Sequence, residues 1–194
     1  WTRDLGPFKN SYNMASSPVL CGDLVILCCD QDEGSFIVAC DKRTGDERWR
    51  TPRPGMSRQW ATPLVVAVDG RTQVVVNGQT VVAYDPATGK EAWSCRGMRP
   101  NVTPSVVAAS GLVYAASGRN GPALAIDPRG AGDVTETHVR MQTASGGPYV
   151  PSKAPQSGAS AFERQLYRIN IARAQVDQYN RTLIELEADP RSMI

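Results

Sequence analysis

Histidine is nearly missing from this sequence: its 194 residues include one, His138, and no motif pairs it with a nucleophile. No GxSxG, phosphate-binding glycine loop or HExxH stretch occurs either, so the common nucleophilic and metal-dependent hydrolase classes have nothing to build on. Five cysteines (Cys21, Cys28, Cys29, Cys40, Cys95) lack CxxC spacing, which with a lone histidine argues against structural zinc. Charge of either sign is not in excess: the net is +2, so no electrostatic case exists for a nucleic-acid or polyanion partner. No apolar run approaches the 18 residues of a membrane span. An initiator methionine and a charged segment leading into an apolar run are also lacking. The chain therefore reads as a processed product or a fragment, and a removed signal peptide stays open.

What the chain does have is a core's worth of apolar residues, 41%, and a repeat. Pro18, Pro63 and Pro104 are 45 and 41 residues apart; Asp41, Asp85 and Asp127 are 44 and 42 apart; Trp49 and Trp93 are 44 apart. Each unit holds four short runs of Val, Ile, Leu and Ala, broken by Asp-Gly at 69–70, Asn-Gly at 77–78 and Ser-Gly at 110–111. Such pairs supply the positive φ of tight hairpins, and four strands per unit of about 43 residues describe a propeller blade. Four of the cysteines lie in or beside these runs, where a free thiol is a small packing group; Cys28 and Cys29 fall on opposite faces of one strand.

The motif Asp-x-x-Thr-Gly-x-x-x-Trp recurs as Asp41, Thr44, Gly45, Trp49 and as Asp85, Thr88, Gly89, Trp93; Asp127 opens a third copy that lacks the tryptophan. The carboxylate can accept backbone N–H bonds from the turn it begins, and Thr-Gly completes that turn. The tryptophan then lies on the outer strand, free to wedge between blades, where burying an indole stabilises by about 2–3 kcal/mol.

ACDKRTGDERW and AYDPATGKEAW resemble the repeat of pyrroloquinoline-quinone-like propellers, a family holding both quinoprotein alcohol dehydrogenases and the non-enzymatic envelope protein BamB. WTRDLGP, SSPVL, GDLVIL and GLVYAASG are similar to the PQQ-binding-like β-propeller repeat proteins of bacteria, over about residues 1–152. The resemblance implies a fold and no single function, since the fold hosts many. It also implies seven or eight blades in a full ring. Three cannot close one, and their open faces call for a cover.

The expected class is all-β, a partial propeller of three four-stranded antiparallel blades followed by one long C-terminal α-helix. Its parts are the end of a preceding blade (1–14), blades at 15–59, 60–100 and 101–147, a linker or truncated blade (148–159) and an amphipathic helix (160–189). Ser160 and Glu163 make a capping box, and Phe162, Leu166, Ile169, Ala172, Val176, Tyr179, Leu183 and Leu186 recur at helical spacing. That stripe suits either the chain's own sheets or a second helix.

The expected mouth of the propeller, made by interblade loops and second-to-third-strand loops, carries Arg53, Arg58, Trp60, Arg96, Arg99 and Arg119, a set able to grip a carboxylate or acidic peptide. Asp30, Asp32 and Glu33 form an acidic corner without EF-hand spacing and read as solvated loop carboxylates. No metal site and no cofactor are assigned. The expected function is a non-catalytic interaction or scaffold module of the bacterial cell envelope, periplasmic or otherwise extracytoplasmic, with protein partners or self-association through open blade faces and the 160–189 helix. The alternative is a segment of a quinoprotein alcohol dehydrogenase, which alone would require pyrroloquinoline quinone and Ca²⁺.

Overall fold

Strand-forming residues and left-handed turns alternate along the chain, and the computed structural model, which describes residues 1–11 and 16–146, turns that alternation into three separate sheets. The first holds β1 (Val19–Cys21), β2 (Leu24–Cys29), β3 (Phe36–Asp41) and β4 (Glu47–Pro52) in that order. The second holds β5 (Leu64–Val68), β6 (Arg71–Val76), β7 (Thr80–Tyr84) and β8 (Glu91–Arg96). The third is built from β9 (Val107–Ala109), β10 (Leu112–Ala116), β11 (Ala123–Ile126) and β13 (Val139–Thr143). At the Asp69–Gly70 turn both residues have positive φ (47° and 76°), the geometry a two-residue hairpin needs, and β5 and β6 pair antiparallel across it.

The expected fold class is corrected on two counts. First, the described residues contain strands and turns and no helix, so the chain is all-β as described. The helix at 160–189 and the segment 148–159 lie outside the described residues. Second, the middle blade has five strands: β12 (Gly132–Asp133), from the connection between β11 and β13, lies parallel to β8 with Gly132 opposite Trp93. The physical reason is the length of the third corner, where the Asp127 N–H pairs with His138 O eleven residues on, against five in the other two. The corner after Asp127 is longer than the other two, and its extra residues reach back onto the neighbouring blade.

Strand alternation gives each blade two apolar faces. Ile26, Cys28, Ile37 and Ala39 of blade 1 meet Val74, Val76, Val82 and Tyr84 of blade 2. Val75, Val81, Ala83, Trp93 and Cys95 of blade 2 meet Val113, Ala115, Leu124 and Ile126 of blade 3. The remaining face of blade 1 (Cys29, Phe36, Val38, Cys40) is covered in part by Leu5, and Phe8 stacks on Phe36 at 6.4 Å. Each fully buried Val, Leu or Ile in these seams stabilises by roughly 1.5–3 kcal/mol, so the seams, not the hairpins alone, hold the blades side by side.

All five cysteines are free thiols. Burial pushes Cys29 up to about 12 and Cys95 up to about 11, and raises Cys28 further. Because the thiolate is the reacting species, iodoacetamide at pH 8 is expected to modify Cys21 in the folded chain and to reach Cys28, Cys29 and Cys95 only in denaturant. Peptide mass mapping reads the difference; native labelling of Cys28 would contradict the seam packing.

Candidate functional site

The Thr-Gly corners are built from the aspartate outward. Asp41 Oδ1 accepts the N–H groups of Arg43 (2.8 Å) and Thr44 (3.1 Å), and Asp85 Oδ1 accepts those of Ala87 (2.7 Å) and Thr88 (3.1 Å). Gly45 and Gly89 close the turns by donating to the Asp41 and Asp85 carbonyls. A tryptophan from the preceding segment then seats on each glycine. Trp1 Nε1 donates to Lys42 O at 3.0 Å and Trp49 Nε1 to Pro86 O at 2.8 Å, the residue after the corner aspartate in both cases. A Cβ added at Gly89 would lie 2.4 Å from Trp49 Cε3 and 2.8 Å from Thr51 Oγ1, and φ there is 69°. At Gly70 φ is 76° and nothing lies within 4 Å. Gly89→Ala is therefore expected to lose about 1–2 kcal/mol more than Gly70→Ala, the added term being overpacking against the indole. Urea midpoints of the two variants measure it.

Asp127 begins the third corner in the same way, its Oδ1 accepting the Arg129 N–H at 3.2 Å, and adds guanidinium partners: Arg129 Nη2 at 2.6 Å and Arg140 Nη2 at 2.9 Å donate to its Oδ2, and Arg129 Nε donates to Oδ1. The Arg129 guanidinium, with Arg140 behind it, holds this carboxyl well below its ordinary 3.8, and Arg48 does the same for Asp41. The folded state thus takes up these protons less readily than the unfolded chain. Their stabilisation is fully present above about pH 4 and is lost as pH falls below it. Asp127→Asn should make stability less steep in pH below about 4, read from urea midpoints across that range.

At the opposite end of the blades the loops of the expected mouth come together, but their arginines differ in role. Arg53 is fully buried: its Nε and Nη2 donate to Asp30 Oδ1 (2.7 Å) and Oδ2 (2.9 Å), and its Nη1 donates to the Tyr84 hydroxyl. The carboxylate beside it keeps Arg53 charged, while burial pushes the Tyr84 phenol up to about 12. Gln59 donates to Cys28 Sγ in the same seam. Arg53 is therefore a brace between blades 1 and 2, and Asp30, read from sequence as a solvated carboxylate, is its buried partner. Arg53 is also among the residues around a surface cleft of about 500 Å³ that Ser35, Pro54, Met56 and Ser57 line.

The other acids of that corner are each matched to a base: Asp32 with Arg58 at 3.1 Å, Glu33 with Lys9. Arg58 also reaches Asn101 Oδ1, and the Trp60 N–H donates to Val102 O. Arg96 lies at the outer edge, paired with Asp133 of β12 at 2.9 Å. Arg99 and Arg119 occupy adjacent loops: the Arg99 N–H donates to Ser117 Oγ, and a Cβ at Gly121 would sit 3.5 Å from Arg99 Cδ. Residues 97–106 and 117–122 contain these two arginines and no carboxylate. Sequence reasoning missed Asp30, Asn77 and Ser117 as braces. Each directly follows a second strand and reaches sideways into an interblade loop, Asn77 Nδ2 donating to Pro104 O and Ala116 O. The available signal was a polar residue closing an apolar strand.

Side-by-side four-stranded sheets, tied by tryptophans seated on Thr-Gly corners, define a β-propeller of the pyrroloquinoline-quinone-like repeat class. The family model for outer membrane protein assembly factor BamB matches residues 1–186, and the chain belongs to that family. No curated protein matches it significantly in sequence. Among solved structures it is similar to quinohemoprotein alcohol dehydrogenase ADHIIG from Pseudomonas putida HK5, at 15% identity and TM-score 0.51, over 84% of this chain and 25% of that one. It is also similar to quinohemoprotein alcohol dehydrogenase from Comamonas testosteroni (19%, TM-score 0.49, 68% and 21%) and to BamB from Moraxella catarrhalis (16%, TM-score 0.44, 74% and 38%). The chain thus spans less than half of each, and the likeness is one of fold.

Proposed function

We propose that this chain is a non-catalytic protein-interaction module of the bacterial cell envelope, acting outside the cytoplasm, and that it holds partners on the loop face of blades 2 and 3. Family membership supports the scaffold reading, the family being described as an outer membrane protein assembly factor. No described helix is long and apolar enough to cross a membrane. The observation that carries the choice of face is the basic composition of two adjacent loops. The loops 97–106 and 117–122, tied together by the bond from the Arg99 N–H to Ser117 Oγ, carry Arg99 and Arg119 and contain no Asp or Glu of their own. Such a patch suits an acidic, extended segment of another protein.

A segment of a quinone-dependent dehydrogenase is the second reading, favoured by the likeness to the Pseudomonas putida enzyme. It would need a calcium cage, and among the described residues no group of three or more His, Cys, Asp or Glu converges on a point.

The test uses the full chain as bait in a solubilised envelope fraction, wild type beside the double variant Arg99→Glu, Arg119→Glu. A protein held by the wild type and released by the variant supports the proposal. Equal retention removes this face from it, and dye-linked alcohol oxidation on adding pyrroloquinoline quinone and Ca²⁺ overturns it in favour of the enzyme.

A further inference from the structure

The junction between blades 2 and 3 departs from the other two in how its tryptophan is tied. At the junctions of Trp1 and Trp49 the indole N–H donates directly to the carbonyl following the corner aspartate. The counterpart for Trp93 would be Pro128 O. Instead Trp93 Nε1 donates to Gln73 Oε1 at 2.9 Å, and Gln73 Nε2 donates to Pro128 O at 3.1 Å. The glutamine side chain is inserted as a link, acceptor toward one blade and donor toward the next.

The register identifies Gln73 as the odd residue. It precedes Val74, which pairs with Tyr84, so it stands opposite Asp85. By the same count Leu24 stands opposite Asp41 and Leu112 opposite Asp127. Blades 1 and 3 therefore have leucine where blade 2 has glutamine.

The receiving corner has changed to match. Asp41 and Asp85 donate their N–H to carbonyls five residues on (Asp46, Lys90), whereas Asp127 donates to His138, eleven residues on. The position four after the aspartate, glycine in the first two corners, is Ala131 here. The lengthened corner carries β12, whose following residue Val134 is buried and donates its N–H to Ser94 O. Thr135 Oγ1 accepts the Arg96 N–H. Trp93 is fully buried in this junction, while Trp1 stays 60% exposed.

We infer that Gln73 is the specificity-determining tie of the blade 2–blade 3 junction, joining these two blades into one cooperative unit that no other tryptophan of the chain can form. In a chain of like repeats, alternative blade pairings compete because every corner offers the same acceptor. A corner without the standard glycine, whose acceptor is reached only through Gln73, accepts Trp93 and discriminates against Trp1 and Trp49. Leucine, the residue of the other two blades at this position, would orphan both the indole N–H and Pro128 O.

Hydrogen–deuterium exchange followed by NMR on the full ¹⁵N-labelled chain tests this. In Gln73→Leu the Trp93 indole N–H and the amides of β10, β11 and β13 should exchange at least tenfold faster together, with the Trp49 indole unchanged. Gln73→Glu retains an acceptor for Trp93 and loses the donor to Pro128 O. It should leave the indole protected while the amides of β11 and β13 still loosen, and it answers the question if the leucine variant does not fold. Unchanged β11 and β13 amides in Gln73→Glu, or equal acceleration of blades 1 and 3 in Gln73→Leu, would overturn the inference.

Discussion

Replacing Trp93 with alanine is expected to destabilise the chain by about 3–5 kcal/mol, the largest loss among its docking tryptophans. The ring is fully buried among Val75, Val113, Leu124 and Val134, and its N–H is bonded to Gln73. Truncation removes the apolar area, leaves a cavity between two blades that cannot collapse far, and frees a buried amide oxygen. Trp49→Ala should be intermediate, because the ring is half-buried yet still seated on Gly89. Trp1→Ala should change little, since the ring is mostly exposed. Urea unfolding followed by far-UV circular dichroism gives the ranking without relying on the fluorescence of the residue removed. If Trp1→Ala and Trp93→Ala cost the same, the seams described here are not what joins the blades.

Arg53→Ala should cost a similar amount, about 3–5 kcal/mol, by a different route. The loss is not the worth of an ion pair; it is the penalty of leaving Asp30, wholly buried, without its bidentate partner. Two comparisons separate these terms. The double variant Arg53→Met, Asp30→Leu removes both charges and fills the space, and should recover most of the stability. Arg96→Ala breaks an exposed pair with Asp133 and should cost less than about 1 kcal/mol. If Arg53→Ala were as mild as Arg96→Ala, Arg53 would have to be solvated in solution and available to ligands, and the mouth would need to be redrawn.

These two residues also mark how far the sequence could be read. Trp93 was legible because a 44-residue spacing shared with Trp49 and the corner aspartates points to one structural role. Arg53 was not, because an arginine in a loop rich in Pro and Gly looks the same whether it faces water or a carboxylate 23 residues away. The acids at 30, 32 and 33 raised the same ambiguity: they read as one acidic corner and separate in the fold into one buried brace and two surface pairs.

The sequence by itself determined the repeat, the strand-and-turn alternation, the aspartate-led corners and the membership of a propeller class, because periodicity and turn chemistry are local properties carried by neighbours in the chain. Only the tertiary structure decided which mouth arginines are braces, that the corner after Asp127 reaches back to become the fifth strand of the blade before it, and that Gln73 bridges Trp93 to Pro128. Each of those rests on partners brought together by blade-against-blade packing. A polar side chain takes its role from the donor or acceptor that such packing sets beside it.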